Sequence, residues 1–185
     1  ENISVIVNPL PATPQILALT DTVFCEGGSV KLVLTKSDKS GKFGWSRNFN
    51  RELGNFKDIG STNTSDTTSL KVSGTELVRG FVTDNKDCNS MLSNAIQVVK
   101  KDNPKVVNIV QKGTYTLVAR ADKPAEEYVW KLNGKVLAIK DTVIRANEDG
   151  KYSVLGKNTY KVKSSSTPLN CLSTESSLDL VTYDD

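Results

Sequence analysis

The feature that most constrains the fold of this chain is an internal duplication. Residues 28–34, GSVKLVL, recur as residues 113–119, GTYTLVA, at an offset of 85 (113 − 28). Trp45 recurs as Trp130 at the same offset of 85 (130 − 45). A similar offset over separate landmarks is the signature of one structural unit used twice. The chain therefore has to be explained as two small domains rather than one large one.

Two further matches extend the duplication. The block 70–78 matches 152–160 at an offset of 82 (152 − 70), with Tyr152 in the place of Leu70. Cys88 recurs as Cys171 at an offset of 83 (171 − 88). The slowly changing offset predicts that both repeats contain the same elements in the same order.

Alternating apolar and polar residues predict that these elements are short strands. Val30, Leu32 and Leu34 alternate with polar neighbours, and the matching residues of the second repeat are Tyr115, Leu117 and Ala119. A period of two with one apolar face is typical of a half-buried antiparallel strand. Asn133-Gly134, directly after the second tryptophan segment, predicts a tight hairpin.

Six or seven strands in about 85 residues, with a tryptophan on the third, are typical of an immunoglobulin-like sandwich. We therefore predict an all-β chain of two tandem immunoglobulin-like antiparallel β-sandwich domains, at residues 10–101 and 102–185. Trp45 and Trp130 are predicted core residues rather than a sugar-stacking platform. Residues 1–9 are similar to the last strand of the first repeat. We therefore expect the tail of a preceding domain or a linker, in an excerpt of a longer chain, or else the first strand of this domain.

Composition argues against most catalytic chemistry. The chain has no histidine, which excludes Ser-His-Asp and Cys-His nucleophilic sites and histidine-ligated zinc. Cys25, Cys88 and Cys171 lack the close spacing of a metal knuckle. The net charge of +3 is small and dispersed, which argues against nucleic acid. No apolar run approaches the roughly 18 residues of a membrane-spanning helix. We predict no cofactor, no metal and no membrane insertion.

Paired carboxylates are the remaining common catalytic route. The pairs at 126–127 and 148–149 are adjacent in sequence, so their side chains point to opposite faces of a strand. The oxygen-rich stretch 84–87 offers calcium ligands, but Lys86 in its middle favours a plain turn. A carboxylate-based hydrolase is therefore the least favoured class, and we predict that the chain is not an enzyme.

Four motifs support a family resemblance: VNPLP at 7–11, FCEGGSV at 24–30, VTD at 82–84 leading to Cys88, and SNAI at 93–96. Together they resemble the immunoglobulin-like repeat of very large surface adhesins and gliding-motility proteins of Bacteroidetes, exported by the type IX system. The resemblance covers nearly all of the first repeat and much of the second, where Val110 is placed at the position of Cys25. It implies a secreted, cell-surface protein. No C-terminal sorting domain is visible, so export by that route is implied by resemblance alone.

The positions of the cysteines limit which disulfide bonds can form within and between the domains. In an immunoglobulin-like topology Cys25 lies just before the second strand and Cys88 lies in the last loop, at opposite ends of a sandwich. A strand spans roughly 20 Å, whereas bonded cysteines have Cα atoms within about 7 Å. One hypothesis is an inter-domain Cys25–Cys171 bond, with Cys88 bonded to a preceding domain. The alternatives are a displaced internal Cys25–Cys88 bond, or free cysteines in a reducing compartment.

The segment Ser46–Ser65 is the least repeat-like part of the chain. It interleaves cationic and aromatic side chains that could contact glycans or proteins. An extra hairpin covering the sheet is the alternative interpretation. The candidate binding residues are Arg47, Phe49, Arg51, Phe56 and Lys57.

The preferred function is a non-catalytic spacer in the stalk of a filamentous surface adhesin, located outside the cell. Its expected partners are neighbouring immunoglobulin-like domains of the same chain, together with surface polysaccharide or other cell-surface proteins. The rival function is a recognition module that binds a glycan or a protein through the Ser46–Ser65 loop.

Overall fold

The chain divides into two compact units, Glu1–Lys100 (unit 1) and Lys101–Asp185 (unit 2). Their described residues form β-strands and no helix, which confirms the all-β prediction. The structure is a computed structural model, and it describes residues 3–4, 7–35, 41–49, 56–59, 65–162 and 166–181.

Unit 1 has two sheets in its described residues. One has the order β1-β3-β6, and the other has the order β2-β8-β7-β4-β5. The strands are β1 (Gln15–Ala18), β2 (Val23–Cys25), β3 (Ser29–Thr35), β4 (Lys42–Asn48), β5 (Lys57–Asp58), β6 (Thr67–Lys71), β7 (Glu76–Thr83) and β8 (Ile96–Lys101).

Unit 2 also has two sheets in its described residues. One has the order β13-β10-β9, and the other has the order β12-β11-β14-β15, with β16 also paired to β14. The strands are β9 (Lys105–Lys112), β10 (Thr116–Lys123), β11 (Glu127–Leu132), β12 (Lys135–Val136), β13 (Val143–Arg145), β14 (Gly150–Tyr160), β15 (Leu169–Leu172) and β16 (Ser176–Leu180).

The strand order is that of an immunoglobulin-like sandwich. In each unit the first and second long strands pair in one sheet, and the tryptophan strand pairs with the long strand near the end of the unit in the other. In unit 1 the chain also crosses between the sheets, because β1 lies beside β3 whereas β2 lies beside β8.

Each unit has its own core, filled by the inward side of the alternating strands. Along β3, Val30, Leu32 and Leu34 are buried while the residues before and after each are more exposed, as the period of two predicts. Tyr115 departs from this pattern, because it lies in the turn before β10 and is 43% exposed. The prediction that it is an inward strand residue is wrong.

The hairpin predicted at Asn133-Gly134 is confirmed. Leu132 at the end of β11 pairs with Lys135 at the start of β12. The two residues between them have φ values of 51° and 83°, the left-handed backbone that a two-residue turn needs.

Strand register overturns part of the predicted duplication. Trp45 faces Gly80 on β7, and Trp130 faces Val154 on β14. The counterpart of Val78 is therefore Tyr152, at an offset of 74 (152 − 78) rather than 82. The whole block 152–160 lies in the single strand β14, not in two strands. Unit 1 has extra residues before this strand and unit 2 has extra residues after it, so the two insertions compensate and give a misleadingly steady offset.

The predicted equivalence of Val110 with Cys25 is also wrong. Val110 on β9 pairs with Val118, whose counterpart Val33 pairs with Leu17 on β1. Val110 is thus the counterpart of Leu17. In unit 2 only residues 113–115 separate β9 from β10, so the described part of unit 2 has no strand corresponding to β2.

The predicted segment 1–9 is described only in part. Residues 1–2 and 5–6 lie outside the described residues, and residues 3–4 and 7–9 belong to no strand. Asn8 accepts a 2.7 Å hydrogen bond from Lys86 Nζ. The assignment of this segment to a preceding domain stays a prediction.

Candidate functional site

The predicted binding segment 46–65 is a short hairpin in its described residues. Ser46 and Arg47 belong to β4 and face Asp58 and Lys57 on β5. Phe49 directly follows β4. Arg51 lies outside the described residues. β5 thus extends the sheet at its edge beside β4, whereas the alternative interpretation placed an extra hairpin over the sheet.

Arg47 forms an ion pair with another residue of unit 1. Its Nε donates to Glu76 Oε2 at 2.7 Å, and its Nη2 donates to Glu76 Oε1 at 2.9 Å. Nη2 also donates to the Lys71 carbonyl oxygen at 3.2 Å. The Glu76 side chain is 0% exposed, so this is a bidentate ion pair with a fully desolvated carboxylate. The structure therefore gives Arg47 a structural contact.

Each of the two phenylalanines stacks with an arginine. The Arg47 guanidinium lies 5.0 Å from the ring centre of Phe49, and that of Arg79 lies 4.9 Å from the ring centre of Phe56. Each such contact stabilises by about 0.5–1 kcal/mol at an exposed site. Phe49 remains 48% exposed, so part of its ring is available to a partner.

These side chains border an open groove of about 680 Å³. Aromatic and cationic side chains mixed with small polar ones are the kind of lining that contacts sugars or peptides. Its described lining residues are Arg47, Asn48, Phe49, Phe56, Lys57, Asp58 and Ile59.

The three cysteines occupy different environments. Cys25 ends β2 and Cys171 lies in β15, and both are disulfide-bonded. Cys88 lies in the turn after β7 and is a free thiol. The predicted alternative in which all the cysteines are free is therefore wrong.

The turn that carries Cys88 is fixed by Asp84. Asp84 Oδ1 accepts hydrogen bonds from the backbone N–H groups of Lys86, at 2.8 Å, and Cys88, at 2.9 Å. The Asp84 N–H donates to the Cys88 carbonyl oxygen at 3.0 Å. The carboxylate that resembled a calcium ligand thus closes an Asx-type turn. No group of three metal-ligating side chains occurs among the described residues.

Cys88 and Cys171 begin the same sequence motif, Cys-x-Ser-x-x-Ser, which the sequence analysis did not recognise. The Ser90 N–H donates to the Val82 carbonyl oxygen at 2.8 Å, and its Oγ accepts from the Val82 N–H at 3.0 Å. Ser173 makes the same two bonds with Gly156, at 2.9 and 2.8 Å.

The matched serines place the two cysteines at one structural position. Val82 and Gly156 are related by the same offset of 74 (156 − 82) that relates β7 to β14. Cys88 accepts a backbone hydrogen bond from Asp84, and Cys171 pairs with Asn158, again at an offset of 74 (158 − 84). The cysteine equivalence inferred from the sequence therefore agrees with the pairing, although the block before it was misaligned.

Four acidic residues of unit 2, Asp102, Asp122, Glu127 and Glu175, form ion pairs with lysines. Glu127 lies 3.0 Å from Lys140 Nζ and 3.4 Å from Lys157 Nζ. Hydrogen bonds from these two ammonium groups, that of Lys140 foremost, lower the pKa of Glu127 below its usual value. A hydrogen bond from Lys131, at 2.8 Å, is the main cause of the lowered pKa of Glu175. Lowered carboxyl pKa values suit ion pairs and are the opposite of what a general acid requires.

Both tryptophans lie in the cores, 4% exposed for Trp45 and 0% for Trp130. Trp130 Nε1 donates to the Asp141 carbonyl oxygen at 2.8 Å. Trp45 Nε1 is buried without a hydrogen-bond partner. In these positions neither ring offers a face to a sugar.

No protein-family model matches the chain, and no curated protein matches it. Among solved structures it is similar to murine CEACAM1b, with 15% identity over 92% of this chain and 100% of that one, and a TM-score of 0.44. It is similar to the human OSCAR ligand-binding domain, with 14% identity over 93% and 100% of the two chains, and a TM-score of 0.40.

A third similar structure belongs to a 1.5-MDa bacterial ice-binding adhesin, with 14% identity over 93% of this chain and 66% of that one, and a TM-score of 0.35. Likenesses at these identities and scores concern the fold and transfer no function. Among the described residues, no helix is long and apolar enough to span a membrane.

Proposed function

We propose that this chain is a non-catalytic structural segment of a secreted, cell-surface adhesin, in which immunoglobulin-like units act as spacers and are joined by a Cys25–Cys171 disulfide. The oxidation states of the cysteines are the observation that supports it. The chain has three cysteines, of which Cys25 and Cys171 are bonded and Cys88 is a thiol. Because Cys88 is a thiol, we propose that Cys25 and Cys171 are each other's partner.

The proposed bond would join residues of unit 1 and unit 2, which suits a load-bearing stalk. A disulfide that closes a long loop stabilises a protein by about 2–4 kcal/mol, mainly by restricting the unfolded chain. Between domains it also limits the motion of a flexible junction, which is what a spacer requires. A structural disulfide fits an oxidising compartment, so the proposed location is the cell surface.

The finer features of the proposal come from the sequence resemblance. The motifs around Cys25, Cys88 and Asn94 resemble repeats of Bacteroidetes adhesins and gliding-motility proteins. On that resemblance we propose export by the type IX system and a parent chain with many such units. Its partners would then be neighbouring immunoglobulin-like domains of the same chain.

The stiffening role is tested by nitrogen-15 relaxation of the oxidised chain against the double variant Cys25→Ser/Cys171→Ser. The proposal predicts one common tumbling time for unit 1 and unit 2 in the oxidised chain, and shorter, separate times in the double variant. Cys88→Ser is the matched control and should behave like the original chain. Identical tumbling in the oxidised chain and the double variant would contradict the spacer function.

A second candidate function, recognition of a glycan or a protein, is favoured by the groove beside Phe49 and Phe56. It predicts binding on a glycan array or to a surface protein that Phe49→Ala or Phe56→Ala abolishes. Tyr115→Ala, which removes an exposed ring of unit 2, is the matched control. Equal binding by all three variants would exclude the groove as the binding site.

A further inference from the structure

The outward face of the sheet β13-β10-β9 in unit 2 carries positive charge and no carboxylate. Along β10 the outward residues Thr116, Val118 and Arg120 alternate with the buried Leu117 and Ala119. Strand pairing adds their neighbours on β9 and β13 to the same face: Lys112, Val110, Asn108, Arg145 and Val143. We call these eight residues the cationic face of unit 2.

Three cations surround an apolar row on the cationic face. This valine row has one residue on each strand: Val110, Val118 and Val143. Lys112 and Arg145 flank Thr116 on one side of the row, so their Cα atoms are about 10 Å apart, two strand spacings. Arg120 lies on the other side of the row. All three cations are exposed, so the face presents charge and apolar surface together.

The charges of these three cations are not neutralised by neighbouring side chains. Within the part of the chain that the structure describes, none of the three forms an ion pair, whereas five lysines of unit 2 do so: Lys105, Lys123, Lys131, Lys140 and Lys157. The pair of Lys105 with Asp122, at 2.9 Å, lies next along the same strands. The unbalanced charge is therefore confined to the cationic face.

The equivalent face of unit 1 lacks this charge. Val33 pairs with Leu17 and Thr67, as Val118 pairs with the other two residues of the valine row. The same registers place uncharged residues at the positions of the three cations: Leu19, Thr35 and Ser69. Unit 1 has a single cation at the eight corresponding positions, Lys31. The fold does not require the three cations, so they are a property of unit 2 alone.

We propose that the cationic face binds an acidic polysaccharide built of uronic acids. Each sugar ring of such a chain has apolar C–H groups beside a carboxylate, which matches a valine row edged by cations. Arg120 and Arg145 donate paired hydrogen bonds to the carboxylates, because the guanidinium fork fits that group. The sugar rings cover the valine row and remove its apolar surface from water. A second copy of the face does not fit, since like charges repel.

A titration of the nitrogen-15-labelled chain with oligogalacturonate locates the site. We expect amide shifts on β9, β10 and β13, none on the corresponding strands β1, β3 and β6, and weaker binding at high salt. A neutral malto-oligosaccharide of equal length is the control ligand. No shifts, equal shifts with the neutral sugar, or shifts confined to the groove beside Phe49 and Phe56 would each overturn the inference. The outcome does not depend on the Cys25–Cys171 bond.

Two double variants test the role of the face itself. Arg120→Gln/Arg145→Gln should lower the affinity for oligogalacturonate about tenfold or more, because two charge-assisted contacts are lost. Lys135→Gln/Lys161→Gln removes the same charge from exposed positions outside the face and should lower it by about twofold at most. All four residues are exposed, so both variants should melt like the original chain.

Equal losses in the two double variants would reduce the interaction to general charge attraction and overturn the inference. A DNA duplex bound as tightly as oligogalacturonate would overturn it too, because the face would then recognise nucleic acid. A further variant, Val143→Thr, keeps the charge and makes the valine row more polar. It should weaken binding by less than the arginine variant does, and an unchanged affinity would contradict the contact between the sugar rings and the valine row.

Discussion

The two units differ most clearly where the tryptophan strand ends beside its neighbour. In unit 1 this place holds the buried ion pair of Arg47 and Glu76. The counterparts in unit 2 are Leu132 and Gly150, as the registers of β4 with β7 and of β11 with β14 require. The same position in the sandwich thus holds an ion pair in unit 1 and a leucine beside a glycine in unit 2.

The side chains around Gly150 in unit 2 are closely packed. A Cβ atom at position 150 would lie 2.8 Å from both Leu132 Cδ1 and Asn133 Nδ2, and Gly150 has a φ of 148°. In unit 2 the Leu132 side chain and the Asn133 amide therefore lie beside Gly150, where unit 1 has a charged pair. The ion pair of unit 1 makes each partner depend on the other. The Glu76 carboxylate is 0% exposed and would be buried and unpaired without Arg47, whose own side chain is 20% exposed.

The largest expected effect comes from breaking the ion pair on one side. Glu76→Ala should destabilise unit 1 by about 3–5 kcal/mol, because the Arg47 guanidinium, which is only 20% exposed, loses both hydrogen bonds to its carboxylate. Urea unfolding followed by hydrogen exchange of β4 and β7 measures the loss, with unit 2 as the internal reference. Glu26→Ala, which removes an exposed ion pair with Lys100, is the control and should change stability by about 0–1 kcal/mol.

The double variant Arg47→Met/Glu76→Leu gives unit 1 an apolar pair in place of the ion pair. It should recover most of the loss, because well-packed apolar residues replace a buried ion pair at little or no cost. If Glu76→Ala were no more harmful than Glu26→Ala, the ion pair would not be the structural contact described here.

A smaller difference is expected between the tryptophans. Trp130→Phe removes the hydrogen bond to the Asp141 carbonyl oxygen, whereas Trp45→Phe removes a donor that has no partner. Both variants lose a similar ring volume, so Trp130→Phe should cost about 1 kcal/mol more. Denaturant unfolding of each variant, read on its own unit, gives the two values. Equal losses would show that the unpaired donor of Trp45 is satisfied in solution.

The smallest effect concerns pH and belongs to unit 2. The pKa of Glu127 is lowered in the folded state by Lys140 and Lys157. A carboxyl with a lowered folded pKa contributes stability above its unfolded pKa, near 4.5, and loses it as pH falls through the folded pKa. Unit 2 should therefore lose part of its stability below about pH 4.5, and less so at high salt, where the exposed pairs are screened.

Glu127→Gln should reduce this acid sensitivity, because the glutamine cannot be protonated in that range. Thermal unfolding of unit 2 between pH 3 and 7, at low and high salt, measures it. An unchanged pH profile in Glu127→Gln would mean that the two lysines do not act on this carboxyl in solution.

Much of the fold could be predicted from local sequence. Alternation identified the strand around Leu32, and the third-strand position of Trp45 and Trp130 predicted two core residues that the structure buries. The Asn133-Gly134 turn follows from backbone preference alone. Such features depend on residues that are close along the chain.

The remaining features of the fold depend on which strands pair, and the paired residues lie far apart in the sequence. The two compensating insertions could not be separated without the registers of β7 and β14. Strand β13 has only three residues, too few for a period to show. The contact of Arg47 with Glu76 joins residues 29 positions apart and arises because β4 pairs with β7. The repeated Cys-x-Ser-x-x-Ser was the one missed signal that was readable in the sequence.

A tryptic map of the unreduced recombinant chain tests the proposed Cys25–Cys171 disulfide directly. Each cysteine lies in its own peptide, at 1–31, 87–100 and 164–185. We expect a disulfide link between peptides 1–31 and 164–185, with Cys88 available to a thiol reagent. A link between peptides 1–31 and 87–100, or three freely alkylated cysteines, would contradict it.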